Sequence, residues 1–310
     1  VERVRAGDVR ALARAITAIE DSRPQSVELL KALFPYSGGA RVIGLTGSPG
    51  SGKSTLVDQL ARQYRQKNQT VGIIAVDPTS PYTGGAILGD RIRMQAHHAD
   101  TGIYIRSMAT RGFLGGLARA TADVATVLDA SGKNLVLVET VGVGQDEIDI
   151  VRLADVTVVI LVPGMGDDVQ TIKAGIMEIA DVFVINKSDR EGAERVEREV
   201  RAMQSLALRK NKGAWVPPIV KTVATEGAGV AELAKAIEDY HDFLQRSDLG
   251  LKKKIGNWRE RIIEMLRETL LQRLLREQLS ADAISRYARE VAEHKRDPYS
   301  LVEELTSAKK

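Results

Sequence analysis

The chain has 310 residues, 44% of them hydrophobic and 27% charged, with a formal net charge of +3 and no cysteine. This fits one large globular α/β domain, or one domain with helical extensions, and excludes a disulfide framework and thiolate metal sites. The charge is too mild to point to nucleic acid, no apolar run reaches the roughly 18–20 residues of a membrane span, and the N-terminus lacks a signal-peptide core, so neither nucleic acid nor membrane is an expected partner and a cytoplasmic location is expected.

Residues 1–36 read as a helical prefix. Asp8 is the expected N-cap of a helix that places Leu12, Ile16 and Ile19 on one face, and a second short helix runs from Ser26 to Phe34 after Pro24. Strand and helix patterns then alternate. Strands are predicted at 41–46, 71–76, 103–106, 134–138, 156–162, 181–185 and 218–223, and helices near 54–67, 114–130, 168–179, 190–208 and 229–245. Apolar strands separated by helices predict an α/β fold, a mainly parallel sheet covered on both faces, with ligands bound at the carboxyl ends of the strands. From 249 to 310 the pattern is helical and mixed in charge. Trp258, Ile262, Ile263, Leu266, Leu270, Leu271, Leu274 and Leu275 form an apolar stripe. Packing on the domain's own core is the plain reading of that stripe; a dimer or partner arm is the favoured one. The expected division is thus a helical prefix 1–36, a nucleotide domain 37–248 and a helical arm 249–310.

The first chemical motif is Gly47-Ser48-Pro49-Gly50-Ser51-Gly52-Lys53-Ser54, between a predicted strand and a predicted helix. Two glycines with four residues between them, followed by Lys and Ser, make a P-loop. Its backbone N–H groups and the helix N-terminus favour phosphate. Lys53 is expected to reach the β- and γ-phosphates, the Ser54 hydroxyl to sit on Mg²⁺, and Thr55 to extend the nucleotide contacts. The second motif is Asn186-Lys187-Ser188-Asp189, at the end of the apolar strand from Val182. The Asp189 carboxylate can accept from guanine N1–H and the 2-amino group. Adenine supplies neither donor and would leave the carboxylate unpaired, so GTP and GDP are expected and ATP is disfavoured. Lys187 can lie across the base plane, and Asn186 can tie its loop to the P-loop. Thr222, Val223 and Ala224, after the last predicted strand, are placed to meet guanine O6 through backbone N–H.

Three acidic positions follow strand ends. Asp77 closes the strand from Val71, Asp90 lies in a Gly-rich loop, and Glu139 closes Asn134–Val138 in the pattern of a Walker-B carboxylate. Mg²⁺ takes oxygen ligands and keeps several waters, so Glu139 can act directly or through water. Gly142 can offer its N–H to the γ-phosphate and sense hydrolysis. The loop 163–173 contains Asp167 and Asp168, of which one caps the next helix or responds to nucleotide. The expected catalytic set is Lys53, Asp77, Glu139 and Gln145; the expected metal set is Ser54, Asp77, Asp90 and Glu139.

Together with Val-Asp-Pro-Thr-Ser at 76–80, Gly-Gly-Ala-Ile-Leu-Gly-Asp at 84–90, Val-Glu-Thr-Val-Gly-Val-Gly-Gln at 138–145 and Pro-Gly-Met-Gly-Asp-Asp at 163–168, these motifs resemble the MeaB/ArgK family. The resemblance begins at Ala6-Gly7-Asp8 and extends through residue 245; the tail matches only as a helical extension. It implies a P-loop GTPase that serves an adenosylcobalamin-dependent acyl-CoA mutase, chiefly methylmalonyl-CoA mutase, by gating delivery of intact cofactor. It also implies a homodimer joined through C-terminal helices, Mg²⁺ on Ser54, Asp90 and Glu139 with Asp77 near the water, and a third switch at 163–173. Related nickel chaperones carry Cys and His ligands. This chain has only His97, His98, His241 and His294, which disfavours metal delivery.

Hydrolysis would be in-line attack of water on the γ-phosphate, with Lys53, the P-loop amides and Mg²⁺ neutralising charge. Arg91, Arg93, Arg106 and Arg111 are candidate arginine fingers, each more simply read as a surface charge. The rivals are a kinase or ATPase of a transport system and a non-catalytic module that holds GDP. The start at Val1 is also compatible with the GTPase portion of a fused mutase.

Overall fold

The computed structural model describes residues 1–77, 100–109, 116–140, 150, 152–164, 178–208, 215–277 and 279–307. They form two compact units, Val1–Trp258 and Arg259–Lys310.

The first unit is built on a seven-stranded sheet. Its strands are β1 (Arg41–Gly47), β2 (Val71–Asp77), β3 (Ile103–Ala109), β4 (Leu135–Glu139), β5 (Val156–Leu161), β6 (Val182–Asn186) and β7 (Ile219–Thr222), in the order β3-β2-β4-β1-β5-β6-β7. Every neighbouring pair is parallel. β4, β5 and β6 are buried at every residue, as strands covered on both faces must be. The expected α/β architecture is what forms.

One face is covered by α4 (Lys53–Gln66) and by the later helix Val230–Arg246. Leu56, Leu60 and Tyr64 of α4, with Leu233 and Ile237 of the later helix, close over Ile43, Leu45, Leu135 and Leu137. The opposite face carries α5 (Gly116–Ala130) and the helical prefix: α1 (Glu2–Arg5), α2 (Val9–Glu20) and α3 (Pro24–Leu33), ending in a 3₁₀ turn at Phe34–Tyr36. Asp8 caps α2, its carboxylate accepting from the Ala11 N–H at 2.7 Å. Leu12, Ile16 and Ile19 are buried in the core shared with Val124, Leu128, Val136 and Val138. Farther along that face α6 (Ala193–Leu208) covers Val159, Phe183 and Ile185.

After α7 (Val230–Arg246), the long helix α8 runs from Leu249 to Glu277, followed by α9 (Ala281–Ala292) and α10 (Pro298–Thr306). The tail therefore breaks where local chemistry stops a helix. The Ser280 side chain caps α9, and Asp297 before Pro298 caps α10. The first turns of α8 belong to the first unit. Lys253 Nζ donates to Asp181 Oδ2 and to the Asp155 carbonyl, both at 2.8 Å, at the amino ends of β6 and β5. In the second unit Ile262, Leu266, Leu270 and Leu271 of the stripe are exposed. Of the helix expected near 168–179, only residues 178–179 fall within the described residues.

Candidate functional site

The P-loop leaves the carboxyl end of the central strand β1 and enters α4. Gly50 and Gly52 have φ of 77° and 89°, in the left-handed region that glycine adopts without strain. Gly52 is also fixed by space, because a Cβ there would collide with the Asn186 amide nitrogen. Lys53 is buried and its ammonium donates to the carbonyls of Gly47 at 2.7 Å and Ser48 at 3.0 Å. It thus lies folded along the loop that would wrap a phosphate. Ser48 and Thr55 are half-buried, Pro49 and Gly50 are exposed, and Ser51 is fully buried.

β4 is the neighbour of β1 on one side, with Leu45 opposite Glu139. That register brings the Glu139 carboxylate to the first turn of α4, where Ser54 Oγ donates to its Oε1 at 2.7 Å. Glu139 is 4% exposed. A hydroxyl and a buried carboxylate are therefore in contact beside the P-loop lysine. They come from positions 85 residues apart.

On the other side of β1, beyond β5, strand β6 delivers Asn186. Its Nδ2 donates to the Ser51 carbonyl at 2.8 Å, while its Oδ1 accepts from the Thr222 hydroxyl at 3.0 Å and the Ala224 N–H at 3.1 Å. Lys187 has φ of 55°, a left-handed conformation unusual for a side chain of this size, and its ammonium donates to the Gly50 carbonyl at 2.8 Å. The turn is held by Ser188 N–H on the Thr222 carbonyl at 3.1 Å and Arg190 N–H on the Lys187 carbonyl at 3.0 Å. Asp189 is exposed beside these groups in sequence.

Sequence reasoning anticipated the link between Asn186 and the P-loop but not its other half. The amides expected to meet guanine O6 are engaged within the protein: Val223 N–H donates to the Ala228 carbonyl at 3.0 Å, and Ala224 N–H to Asn186. Arg106 is by sequence a candidate arginine finger, more simply read as a surface charge. It points from β3 to α2, bonding Glu20 and Thr17, so it faces the helical prefix. The backbone of Asp77 ends β2, opposite Ala109. The Asp77 side chain and Asp90, Gly142, Gln145, Asp167, Asp168, Arg91, Arg93, Arg111, His97 and His98 lie outside the described residues.

The family model described as methylmalonyl-CoA mutase-associated GTPase MeaB matches residues 12–279. A Pyrococcus abyssi protein, provisionally named as a GTPase, is 48% identical over 304 residues, spanning 98% of this chain and 94% of its own length. The mouse mitochondrial protein named methylmalonic aciduria type A homolog is 33% identical over 266 residues, covering 80% of this chain and 64% of that one. A solved structure described as a LAO/AO transport system kinase matches with a TM-score of 0.72 at 28% identity, covering 98% of this chain and 94% of that one. The Lys53 loop, the Ser54–Glu139 contact and the Asn186 turn thus stand in a P-loop GTPase, and the chain belongs to the MeaB family of methylmalonyl-CoA mutase-associated GTPases.

Proposed function

We propose that this GTPase is a chaperone of an adenosylcobalamin-dependent acyl-CoA mutase, most simply methylmalonyl-CoA mutase, and that its nucleotide state gates loading and protection of the mutase cofactor. The observation that carries this reading is the match of residues 12–279 to a family described by its association with that mutase. The mouse relative's name, which refers to methylmalonic aciduria, supports it. A functional division follows: prefix 1–36, GTPase domain 37–248, and an arm 249–310 whose exposed Leu266 and Leu270 suit a homodimer or partner contact. Among the described residues no helix is long and apolar enough to cross a membrane. We place the protein in the cytoplasm.

In this reading Lys53, the P-loop from Gly47 to Thr55, and the turn at Asn186, Lys187 and Asp189 bind GTP, with Thr222, Val223 and Ala224 shaping the base pocket. Gly142 reports on the γ-phosphate, and Gln145 and Asp77 address the water. The donor set fits Mg²⁺. Ser54 and Glu139 present hydroxyl and carboxylate oxygens in contact, the hard ligands this ion takes, and the chain has no cysteine to favour a softer metal. Asp77 and Asp90 would complete the set. Among the described residues, no three His, Asp or Glu side chains already cluster as a metal site. When bound, Mg²⁺ would neutralise charge on the phosphates. Glu139 would hold Ser54 oriented, and buried Lys53 would exchange its loop carbonyls for phosphate oxygens.

A second reading follows from the solved structure described as a transport-system kinase. The deciding experiment is hydrolysis of GTP by the purified chain, alone and titrated with adenosylcobalamin-dependent mutases, with ATP in parallel. GTP-specific turnover raised by one mutase establishes the chaperone role. Turnover indifferent to every mutase, or phosphoryl transfer to a protein from ATP, overturns it. Bound GDP with no turnover would mean a non-catalytic module.

A further inference from the structure

Two buried hydroxyls meet beneath the nucleotide loops. Thr46 stands one residue before the end of β1, and Thr140 follows the last residue of β4. Thr140 Oγ1 donates to Thr46 Oγ1 at 3.0 Å, and the Thr140 N–H donates to the Leu45 carbonyl at 3.1 Å. Thr46 is 1% exposed and Thr140 5%.

Strand alternation explains where they point. Leu45 lies opposite Glu139, and Glu139 turns to the α4 face to meet Ser54. The next residue on each chain therefore turns to the other face. Among the described residues that face is apolar nearby, with Val138, Ile150 and Ala154 buried, and Gly44 is packed against Ile150 and Ala154. Valine would satisfy the same volume and the same β-branched preference. Packing alone gives no reason for a hydroxyl at either position. In so dry a place the hydroxyl–hydroxyl bond is strong, and either hydroxyl alone is a liability.

We propose that the Thr46–Thr140 pair is a positioning device for GTP hydrolysis. The backbone bond at Leu45 joins the two strands one residue beyond their paired register. The hydroxyl bond adds a second tie at the same level, directly before one chain enters the P-loop at Gly47 and the other enters residues 141–149. It fixes the separation of the two strand ends, and with it the reach from Glu139 to Ser54. The inference rests on Ser54 and Glu139 being reaction-centre residues, as proposed above.

The test uses the full chain as T46V, T140V, T46V/T140V and T140S, with E139Q as the control for the site itself. Turnover and KM for GTP, GDP affinity and thermal midpoint are measured on each. The single valine variants should lose thermal stability, because each orphans a buried hydroxyl, and the double variant should recover most of it. A positioning role requires kcat to stay down about tenfold in the recovered double variant, with GDP affinity unchanged and T140S near the parent. A double variant with recovered midpoint and parental kcat shows the pair to be structural only and overturns the proposal. If a single variant does not fold, the double variant and T140S decide alone. An E139Q protein with parental turnover overturns the site reading and this inference with it. E139Q impaired beside an unimpaired double variant overturns the inference alone.

Discussion

Asn186 Nδ2 donates to the Ser51 carbonyl at 2.8 Å, joining the end of β6 to the middle of the P-loop across 135 residues of sequence. The same side chain accepts from Thr222 and Ala224 on its other side. A neutral amide has donors at one end and an acceptor at the other, so it can bridge a carbonyl and two donors at once. Asn186 is 2% exposed, and water cannot substitute for what it supplies.

Asn186→Ala should therefore orphan the Ser51 carbonyl, the Thr222 hydroxyl and the Ala224 N–H. A destabilisation of about 1–3 kcal/mol is expected in urea unfolding without nucleotide, and GDP affinity should fall as the P-loop loosens. Asn186→Asp should be worse than Ala, since it sets a carboxylate oxygen against the Ser51 carbonyl. A variant order with Asp milder than Ala would refute this account of the bond.

The Ser54–Glu139 contact predicts a different pattern. Glu139→Gln preserves volume and hydrogen bonding but removes the negative charge. GTP turnover should fall by about a hundredfold, with GDP affinity in the absence of Mg²⁺ little altered. Ser54→Ala should instead weaken the dependence of GDP affinity on Mg²⁺ concentration. Titrations of a fluorescent GDP analogue against Mg²⁺ separate the two.

Base choice rests on Asp189. Asp189→Asn loses the acceptor pair for guanine N1–H and the 2-amino group and gains an N–H donor. The variant should bind GDP at least about a hundredfold more weakly and should turn toward xanthosine nucleotides, whose C2 carbonyl accepts that donor. Competition between GDP and xanthosine diphosphate is the measurement.

Asp8 supplies a pH test. The hydrogen bond from Arg3 and the Ala11 N–H hold its carboxyl below the usual aspartate value. A group with a depressed folded pKa contributes stability above its unfolded value near 3.8, and that contribution is lost as pH falls through the folded value. Asp8→Asn keeps a capping oxygen without a titrating group. The variant should show a shallower acid loss of thermal midpoint than the parent below about pH 4. Parallel acid profiles would show that this carboxylate contributes nothing.

The arm makes its own prediction. Leu266 and Leu270 are 55% and 63% exposed on the same face of α8. If they join two copies, Leu266→Glu with Leu270→Glu should yield monomers in sedimentation while intrinsic GTP turnover is retained. Parent protein that sediments as a monomer would remove the dimer from the proposal.

What could be read in the sequence was whatever local backbone chemistry encodes. Gly47, Gly52 and Lys53 define the phosphate loop by spacing, since a glycine turn and the helix that follows it are properties of a few adjacent residues. The Asp8 cap and the Leu12, Ile16, Ile19 stripe were legible for the same reason. Runs such as Val182–Ile185 announced strands buried on both faces. The breaks at Ser280 and Asp297 were equally local, yet the continuous helical composition of the tail obscured them.

Contacts between distant segments needed strand order and register. No periodicity states that β4 and β5 flank β1, or that Leu45 aligns with Glu139. Those two facts set Glu139 against Ser54 and turn Thr46 toward Thr140. The β2–β3 register likewise sets Arg106 opposite Ile74, on the face that carries α2, where it reaches Glu20. The sequence by itself determined which chemical groups stand at the strand ends, because motif and alternation are local. The tertiary structure alone decided which of those groups touch, because pairing between strands is fixed by the whole sheet and a shift of one residue would send every side chain to the opposite face.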